Sequence, residues 1–205
     1  MVTQLPFVKL LYSVTFYLST KKVTELPKIC YNQFMSLREE KKKAKRLEII
    51  ENALRLFEEK GFDGVTTEEI AAASAIAKKT LFQYFPSKDD IIFNDETILL
   101  DLILSWLRSN PDNVREGYPD FIRQCIADDD DPKNFFNIPK IIDETPHLRL
   151  RLLKTWALYE QTIAELLVES AYSALDARIL ANKMVLTLRL LFDGSFSVED
   201  VLSRV

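Results

Sequence analysis

The chain has 205 residues, of which 47% are hydrophobic, 28% are charged and only four are glycine. This composition is typical of a soluble, helix-rich globular protein and argues against a sheet protein or a disordered tail. The formal net charge of -4 argues, taken alone, against a nucleic-acid partner. The charge is unevenly distributed, however: residues 1–35 carry +3, residues 36–88 carry +2 and residues 89–205 carry -9. An anionic partner is therefore expected at the basic part of the chain.

The first 35 residues are an extension of uncertain status. Their apolar stretch, Leu10–Leu18, is too short to span a bilayer, which takes about 20 residues. A signal peptide is a weaker interpretation, because no small-residue cleavage site follows Leu18. Met35 directly precedes a strongly helical, charged sequence, and we hypothesise that it is the native start. The alternative is a real extension that packs on the rest of the protein or on a partner.

Catalytic and metal-binding patterns are weak throughout the sequence. Cys30 and Cys125 lack metal-ligand or redox spacing, which fits unpaired thiols in a reducing cytoplasm. The acids Asp128–Asp131 lack the alternation of a calcium loop, so a solvated loop is favoured over a metal loop. The single histidine, His147, is expected at the surface, with a pocket hydrogen bond as the alternative. Since no glycine-rich phosphate loop is present, the sequence predicts neither an enzyme nor a metal or cofactor.

Residues 46–88 have the pattern of three short helices. The first helix has apolar residues at three- and four-residue steps, and Gly61 can close it in a left-handed conformation. Thr66 and Glu69 form a capping box for a second helix from about Thr67 to Ala73. A tight turn then leads to a third helix, which begins at Lys78 and ends before Pro86. This arrangement is a helix-turn-helix.

The third helix carries side chains that suit DNA. Leu81 and Phe85 are four residues apart and are expected to face the core. The residues left for solvent are cationic, hydroxylic or amidic: Lys78, Lys79, Thr80, Gln83 and Tyr84. Such groups contact phosphates and base edges. Upstream lies a basic arm, which would follow the DNA backbone or the minor groove and is otherwise a solvated helix end: Arg38, Lys41, Lys42, Lys43, Lys45 and Arg46.

Together these residues resemble the TetR/AcrR family of transcriptional regulators. The matching pieces are Ile50-x-x-Ala53-x-x-Leu56-Phe57, Gly61-Phe62, Thr66-Thr67, Ile70-Ala71, Thr80-Leu81-Phe82-Gln83-Tyr84-Phe85 and Lys88. The resemblance implies DNA contacts by Lys78, Lys79, Thr80, Tyr84 and Lys88. With the residues chosen for their chemistry and position, the full set of expected DNA-binding residues is Lys42, Lys45, Thr66, Thr67, Lys78, Lys79, Thr80, Gln83, Tyr84 and Lys88. Three positions depart from the family pattern, because Ala75 replaces the turn glycine, Ala77 the capping serine and Phe82 a tyrosine. Contacts at positions 77 and 82 are therefore not carried over.

The resemblance also implies the architecture. We expect an all-α protein with a three-helix DNA-binding head at residues 36–88 and a larger helical ligand-binding and dimerisation body at residues 89–205. A capping box at Ser87–Asp90 predicts that the body begins with one long helix, whose apolar side carries Ile91, Ile98, Leu102 and Trp106. Family members transmit effector binding by a movement of this helix. Further helices are expected at about Val114–Ala127, Asn134–Asp143 and Thr145–Ala171 and after Leu175, with a short final segment, Ser197–Val205.

Two groups of body residues are candidates for binding partners. Aromatic residues could line an effector cavity, although aromatic side chains at helical spacing are usually core: Trp106, Tyr118, Phe121, Phe135, Trp156 and Tyr159. The helix after Leu175 is apolar on most sides and therefore needs a second cover, which a second copy of the chain can supply. The expected dimer residues on that helix are Leu180, Met184, Leu188 and Leu191.

The leading hypothesis is a cytoplasmic homodimeric repressor that binds double-stranded DNA at a palindromic operator and releases it when a small molecule binds. No membrane partner is expected. The alternative is a protein of the same fold that is tethered to DNA and serves as a protein-interaction platform without an effector. A third possibility is a structural DNA-binding protein with little sequence preference.

Overall fold

The computed structural model describes residues 37–94, 96–127 and 138–204, and every regular element in these ranges is an α-helix. The all-α expectation is confirmed. The proposed start at Met35, Cys30, the Asp128–Asp131 loop and the candidate ligand residue Phe135 lie outside the described residues. No helix in the described ranges is long and apolar enough to cross a membrane.

The chain divides into two compact units. The head unit contains residues 37–94 and 138–145, and the body unit contains residues 96–127 and 146–204. The helices of the head unit are α1 (Leu37–Lys60), α2 (Thr67–Ala73), α3 (Lys78–Tyr84), α4 (Asp89–Ile92) and α7 (Ile138–Glu144). Those of the body unit are α5 (Glu96–Ser109), α6 (Val114–Ala127), α8 (Pro146–Glu169), α9 (Ala174–Asp193) and α10 (Val198–Leu202).

The apolar face of α1 forms the core of the head unit. Ile50, Leu54 and Phe57 are each no more than 2% exposed, and Phe57 packs against Phe62 with the ring centroids 4.9 Å apart. Helix α1 ends at Lys60, and Gly61 follows with φ at 73°, the left-handed conformation expected for it. Burial of these three large apolar side chains stabilises the packing of α1 on the shorter helices that follow it.

The turn between α2 and α3 is a Schellman motif that has alanine at its left-handed position. The amide of Ile76 donates to the Ala71 carbonyl at 3.0 Å, and the amide of Ala75 donates to the Ala72 carbonyl at 3.1 Å. Ala75 has φ at 51°, where a side chain with a Cβ atom is strained by about 1–2 kcal/mol. The missing glycine has therefore left the shape of the turn intact at an energetic cost.

Ala75→Gly is expected to raise the free energy of unfolding by about 0.5–1 kcal/mol, because glycine removes the strain but adds backbone entropy to the unfolded chain. A denaturant titration of the wild type and the variant measures the change. Ala72→Gly is the matched control, since Ala72 is exposed and lies inside α2 with ordinary helical geometry. The control should destabilise by a similar amount, so two changes of the same sign would contradict the argument.

The expected long helix after Ser87 is interrupted, so that prediction is wrong. The capping box itself is present, because the Ser87 amide donates to the Asp90 carboxylate at 2.9 Å. Helix α4 nevertheless ends at Ile92, and α5 begins at Glu96. Phe93 is only 8% exposed, and the Asn94 side chain accepts a hydrogen bond from Arg46. Packing within the head unit therefore holds the two residues after α4 out of helical register.

The buried face of α5 also differs from the expected one. Ile98, Leu102 and Trp106 are half-buried, whereas Leu99, Leu100, Ile103, Leu104 and Leu107 are buried. Because α5 is not a continuation of α4, the helical repeat of α4 does not predict which residues of α5 face the core. The expectation based on a continuous helix placed the stripe about one residue too early.

Helix α7 packs against α1 within the head unit, although sequence analysis assigned it to the body. Its apolar residues Ile138, Ile141 and Ile142 are each no more than 6% exposed. They follow the i, i+3, i+4 spacing that places three side chains on one face of a short helix. The compact head therefore contains a segment that lies 44 residues beyond Asn94 in the chain.

The body unit is built on the helical hairpin of α8 and α9, which pack extensively against each other. Tyr118 of α6 is fully buried, and its hydroxyl donates to the Met184 carbonyl of α9 at 3.1 Å. Helix α5 joins α8 through Glu96, whose carboxylate accepts from Arg151 at 2.9 Å. The five helices of the body unit thus share one apolar core with a few specific polar links.

Candidate nucleic-acid interface

Helix α3 has the two faces that the sequence predicts. Leu81 and Phe85 are each 1% exposed and anchor the helix in the head unit. Lys78, Lys79 and Gln83 are exposed. Thr80 and Tyr84 are half-buried beside them. A short helix that presents two ammonium groups and an amide suits insertion into the major groove.

Lys78 forms an ion pair with Glu68 of α2, with the Nζ atom 2.5 Å from the carboxylate. The hydrogen bond from Lys78 lowers the pKa of Glu68, so the carboxylate is ionised at neutral pH. Both side chains are exposed, and the pair can therefore exchange with water and with phosphate. A carboxylate at this place competes with DNA for the Lys78 ammonium group.

Glu68→Gln is expected to strengthen binding to duplex DNA by roughly 3- to 10-fold at low salt, because the ammonium loses its internal competitor and the phosphates lose a repelling charge. Fluorescence anisotropy titrations of the wild type and the variant measure the change. Glu116→Gln removes the same charge from an exposed position of α6 and serves as the control. Unchanged or weaker binding by Glu68→Gln would mean that this pair lies away from the DNA.

Two cations of the expected basic arm, Lys45 and Arg46, have acceptors inside the head unit. Lys45 donates to the Ser74 carbonyl at 2.9 Å, at the end of α2. Arg46 donates to the Tyr84 carbonyl at 2.6 Å, at the end of α3, and lies over the Phe85 ring at 4.2 Å. Cations at these positions satisfy helix-terminal carbonyls and favour the negative end of the helix dipole. They hold the helix-turn-helix against α1, so these two residues of the basic arm are more than a solvated helix end. Their contact with DNA stays a prediction.

Lys88 also has internal partners. Its Nζ atom donates to the carbonyls of Phe62 and Val65 at 2.6 and 3.0 Å and lies 4.2 Å from the centroid of the Phe62 ring. These contacts fix the loop between α1 and α2. Lys88 therefore has a structural role, and its expected contact with DNA stays a prediction. Lys42 of the expected arm is exposed and stays a candidate for contacting DNA.

Thr66 and Thr67 use their hydroxyl groups at the start of α2. The Thr66 side chain accepts from the Glu69 amide, and the Thr66 amide donates to the Glu69 carboxylate at 2.8 Å, which confirms the capping box. The Thr67 hydroxyl donates to Glu68 at 3.0 Å. Both hydroxyls therefore already have partners, and the expected phosphate contacts would have to exchange with them.

Hydrogen bonds from Lys60 and Thr66 lower the pKa of Glu69 to about 2 from its ordinary value of 4.5. A depressed pKa in the folded state stabilises the head above pH 4.5, and this contribution is lost as the pH falls from 4.5 towards 2. We expect Glu69→Gln to unfold with a shallower dependence on pH in that window than the wild type. Thermal melts between pH 2 and 6 measure it, and parallel curves would contradict the assignment.

Asn52 is a structural residue that the sequence analysis did not identify. It is 8% exposed, and its amide donates to the Ala73 carbonyl at 3.2 Å and to the Ser74 hydroxyl at 3.3 Å. Because Ser74 is completely buried, these bonds satisfy polar atoms at the end of α2. The only signal in the sequence is one polar residue among the apolar residues of α1, and that pattern has no specific meaning by itself.

The two remaining departures from the family pattern lie on α3. Ala77 has the extended backbone of an N-cap but makes no side-chain capping bond. Phe82 is 43% exposed, and the Lys78 ammonium lies 5.8 Å from its ring centroid. Helix α3 therefore begins without a side-chain hydroxyl at its N-cap. It also presents the apolar ring of Phe82 at the position where the family pattern has a tyrosine.

The candidate ligand residues that the structure describes form two aromatic clusters in the body unit. Trp106 stacks on Phe121 with the centroids 5.0 Å apart, and Tyr118 lies beside both. Trp156 meets Tyr159 edge-on at 5.6 Å. Tyr118, Trp156 and Tyr159 are buried, whereas Trp106 and Phe121 are half-buried. Burial raises the pKa of Tyr118 well above its usual value, so its hydroxyl stays a donor.

The expected dimer residues of α9 are buried within the chain. Leu180, Met184, Leu188 and Leu191 are each no more than 6% exposed, so their expected contact with a second copy is corrected. The exposed apolar residues of α9 lie elsewhere on the helix: Leu175 at 70%, Ile179 at 56% and Leu186 at 44%. The sequence identified the helix, but the packing of α8 decides which side remains exposed.

Other expectations concern catalysis and metal binding. Within the described ranges, no group of three His, Cys, Asp or Glu side chains is arranged to hold a metal ion. Cys125 is a free, half-buried thiol, and His147 is exposed in the first turn of α8.

A helix-turn-helix DNA-binding head is the class of structure that these features define. Residues 49–94 match the model for bacterial regulatory proteins of the tetR family. The biofilm operon icaADBC HTH-type negative transcriptional regulator IcaR of Staphylococcus epidermidis is 33% identical over 85 residues, which are 40% of this chain and 46% of that protein. IcaR of Staphylococcus aureus strain Newman is 49% identical over 43 residues, 21% of this chain and 23% of that protein.

The family match lies in the part of the chain that contains the helix-turn-helix. The alignments with the two IcaR proteins cover less than half the length of these relatives. The matched residues include α2, α3 and α4 together with the second half of α1. This part of the chain is similar to the DNA-binding head of tetR-family regulators.

Proposed function

We propose that this protein is a homodimeric transcriptional repressor that binds a palindromic DNA operator and releases it when a small molecule binds the body unit. The observation that carries the proposal is α3, which presents Lys78, Lys79 and Gln83 from a helix-turn-helix held by internal hydrogen bonds. The IcaR relatives are described as negative transcriptional regulators, which favours repression over activation. Such a protein would act in the cytoplasm, where bacterial DNA lies.

The proposed contacts follow from the chemistry of each side chain. The Lys78 and Lys79 ammonium groups neutralise phosphates or donate to guanine edges, and the Gln83 amide pairs with adenine in the major groove. The hydroxyls of Thr80 and Tyr84, at the flanks of α3, donate to phosphates. Lys42 approaches the backbone from α1. Lys45, Arg46 and Lys88 support this surface from within the head unit.

The proposed dimer uses the exposed side of α9. Leu175, Ile179, Asn182 and Leu186 follow one another at steps of four, three and four residues, and all four are exposed. This is the spacing of a seam between two packed helices, in which a single polar residue fixes the register at a cost in stability. In a two-fold antiparallel pair centred on Asn182, the same surface patch is used by both copies. Exposed leucines of α8 extend the apolar surface: Leu150, Leu153 and Leu158.

The proposed effector contacts are the half-buried rings of Trp106 and Phe121. A stacked pair that is partly accessible can accept a planar apolar ligand without opening the core. Tyr118, which lies beside both rings, would form the wall behind such a site. Trp156 and Tyr159 belong to the second aromatic cluster, which is buried. To release DNA, the effector must bind the DNA-free conformation more tightly than the DNA-bound one.

Selection of DNA fragments by the purified protein at physiological salt tests the proposed function. We expect enrichment of a palindrome with half-site centres about 34–36 Å apart, one turn of the duplex, or a multiple of that distance. A variant in which both Lys78 and Lys79 are replaced by alanine should enrich no sequence and serves as the control for non-specific recovery. If the wild type binds random duplex as tightly as the best selected fragment, the repressor proposal fails.

A further inference from the structure

An aromatic ring without any hydrogen-bonding group is exposed on the proposed DNA-reading helix. Phe82 is 43% exposed, whereas Leu81 and Phe85 of the same helix are each 1% exposed. A single exposed Phe ring is ordinary at a protein surface. The position of Phe82, beside two lysines on the helix proposed to enter the major groove, is what makes its apolar surface available to a DNA base.

The neighbours of Phe82 select an anionic partner. With 3.6 residues per turn, Phe82 projects between Lys78 and Lys79 in a view along the axis of α3, and Gln83 follows Lys79 on the same outer surface. The Lys78 ammonium lies 5.8 Å from the ring centroid. A partner drawn to both lysines is therefore brought against the ring, and the charge of duplex DNA suits that surface.

We propose that Phe82 recognises thymine by packing against its C5 methyl group in each operator half-site. The ring can neither donate nor accept a conventional hydrogen bond, so it cannot pair with the polar edges of guanine, adenine or cytosine. The thymine methyl is the apolar group that an unmodified base pair presents in the major groove. This inference rests on the proposed function and adds a base preference to it. A tyrosine ring at this position can make the same contact with the methyl group, while its hydroxyl is left to donate to a phosphate.

Deoxyuridine substitution tests the inference, because it removes only the C5 methyl group from thymine. Each thymine of the selected operator is replaced in turn, and the dissociation constant is measured by fluorescence anisotropy for the wild type, Phe82→Ala, Phe82→Tyr and Gln83→Ala. We expect one symmetry-related thymine pair whose replacement weakens wild-type binding about 4-fold for one half-site and about 15-fold for both. Phe82→Ala should be insensitive at that pair, whereas Phe82→Tyr and Gln83→Ala should keep the sensitivity.

The outcomes separate the two proposals. If the wild type does not prefer the unmodified operator over random duplex, the repressor proposal fails and the assignment of Phe82 fails with it. If the operator is bound specifically but no deoxyuridine substitution weakens binding, or Phe82→Ala keeps the full sensitivity, only the assignment of Phe82 is overturned. Circular dichroism and melting temperature show whether Phe82→Ala is folded, and Phe82→Tyr tests the ring if it is not.

Discussion

Replacing Lys78 and Lys79 together with alanine is expected to weaken operator binding by on the order of 100-fold or more at physiological salt. A dimer presents two copies of each ammonium group, so four phosphate contacts would be lost. Each phosphate contact contributes about -0.9 to the slope of log K against log salt concentration, and the slope should therefore become shallower by about 3.6. Anisotropy titrations between 50 and 200 mM salt measure both quantities.

The matched control replaces two exposed cations of the body unit, Arg108 and Arg149, and changes the net charge by the same amount. It should alter neither the affinity nor the slope by more than a small factor. The lysine variant can also lose affinity while the slope of log K against log salt concentration stays steep. If its preference for particular bases relaxes at the same time, the ammonium groups contact guanine edges and not phosphates. Unchanged affinity in the lysine variant would contradict an interface at α3.

Local patterns predict the head well because their partners are close in sequence. Gly61 closes α1 with positive φ, and Thr66 and Glu69 form their capping box across three residues. The burial of Leu81 and Phe85 follows from a four-residue step on a helix that packs on one side. Each of these features depends only on backbone geometry and on residues within about one helical turn. The sequence alone is therefore enough to predict them.

Long-range partners explain most of the differences. The backbone carbonyls that accept from Lys45, Arg46 and Lys88 lie between 23 and 38 residues away, and no local rule connects a basic residue to a distant backbone carbonyl. The same reason applies to the break after α4, which depends on Arg46 holding Asn94. A run of lysine and arginine near a DNA-binding motif therefore contains both structural cations and candidate contacts, and only the packing separates them.

The choice of dimer surface depends on packing in the same way. Helix α9 has apolar residues on most sides, and its sequence does not specify which side α8 covers. The hairpin buries Leu180, Met184 and Leu188 and leaves Leu175, Ile179 and the rest of the seam exposed. A proposed interface on the exposed side is consistent with a helix that needs cover on more than one side.

Ile179→Glu is consequently expected to raise the dissociation constant of the dimer by on the order of 100-fold or more, because association would bury an unpaired carboxylate from each copy. Operator affinity should fall with it, since a monomer engages only one half-site. Sedimentation velocity measures the mass, and anisotropy measures DNA binding at the same protein concentrations. Heads that remain folded should keep weak, salt-dependent binding to random duplex.

Phe196→Glu supplies the matched control, because Phe196 lies outside α9 and is 53% exposed, close to the 56% of Ile179. If the dimer uses the α9 seam, the control stays dimeric and binds the operator normally while Ile179→Glu does not. A dimer that survives Ile179→Glu would exclude the seam and favour the exposed leucines of α8. Ile179→Glu leaves the surface of the head unit unchanged. If this variant stays dimeric but no longer binds the operator, the substitution has changed the spacing of the two heads and not the association of the subunits.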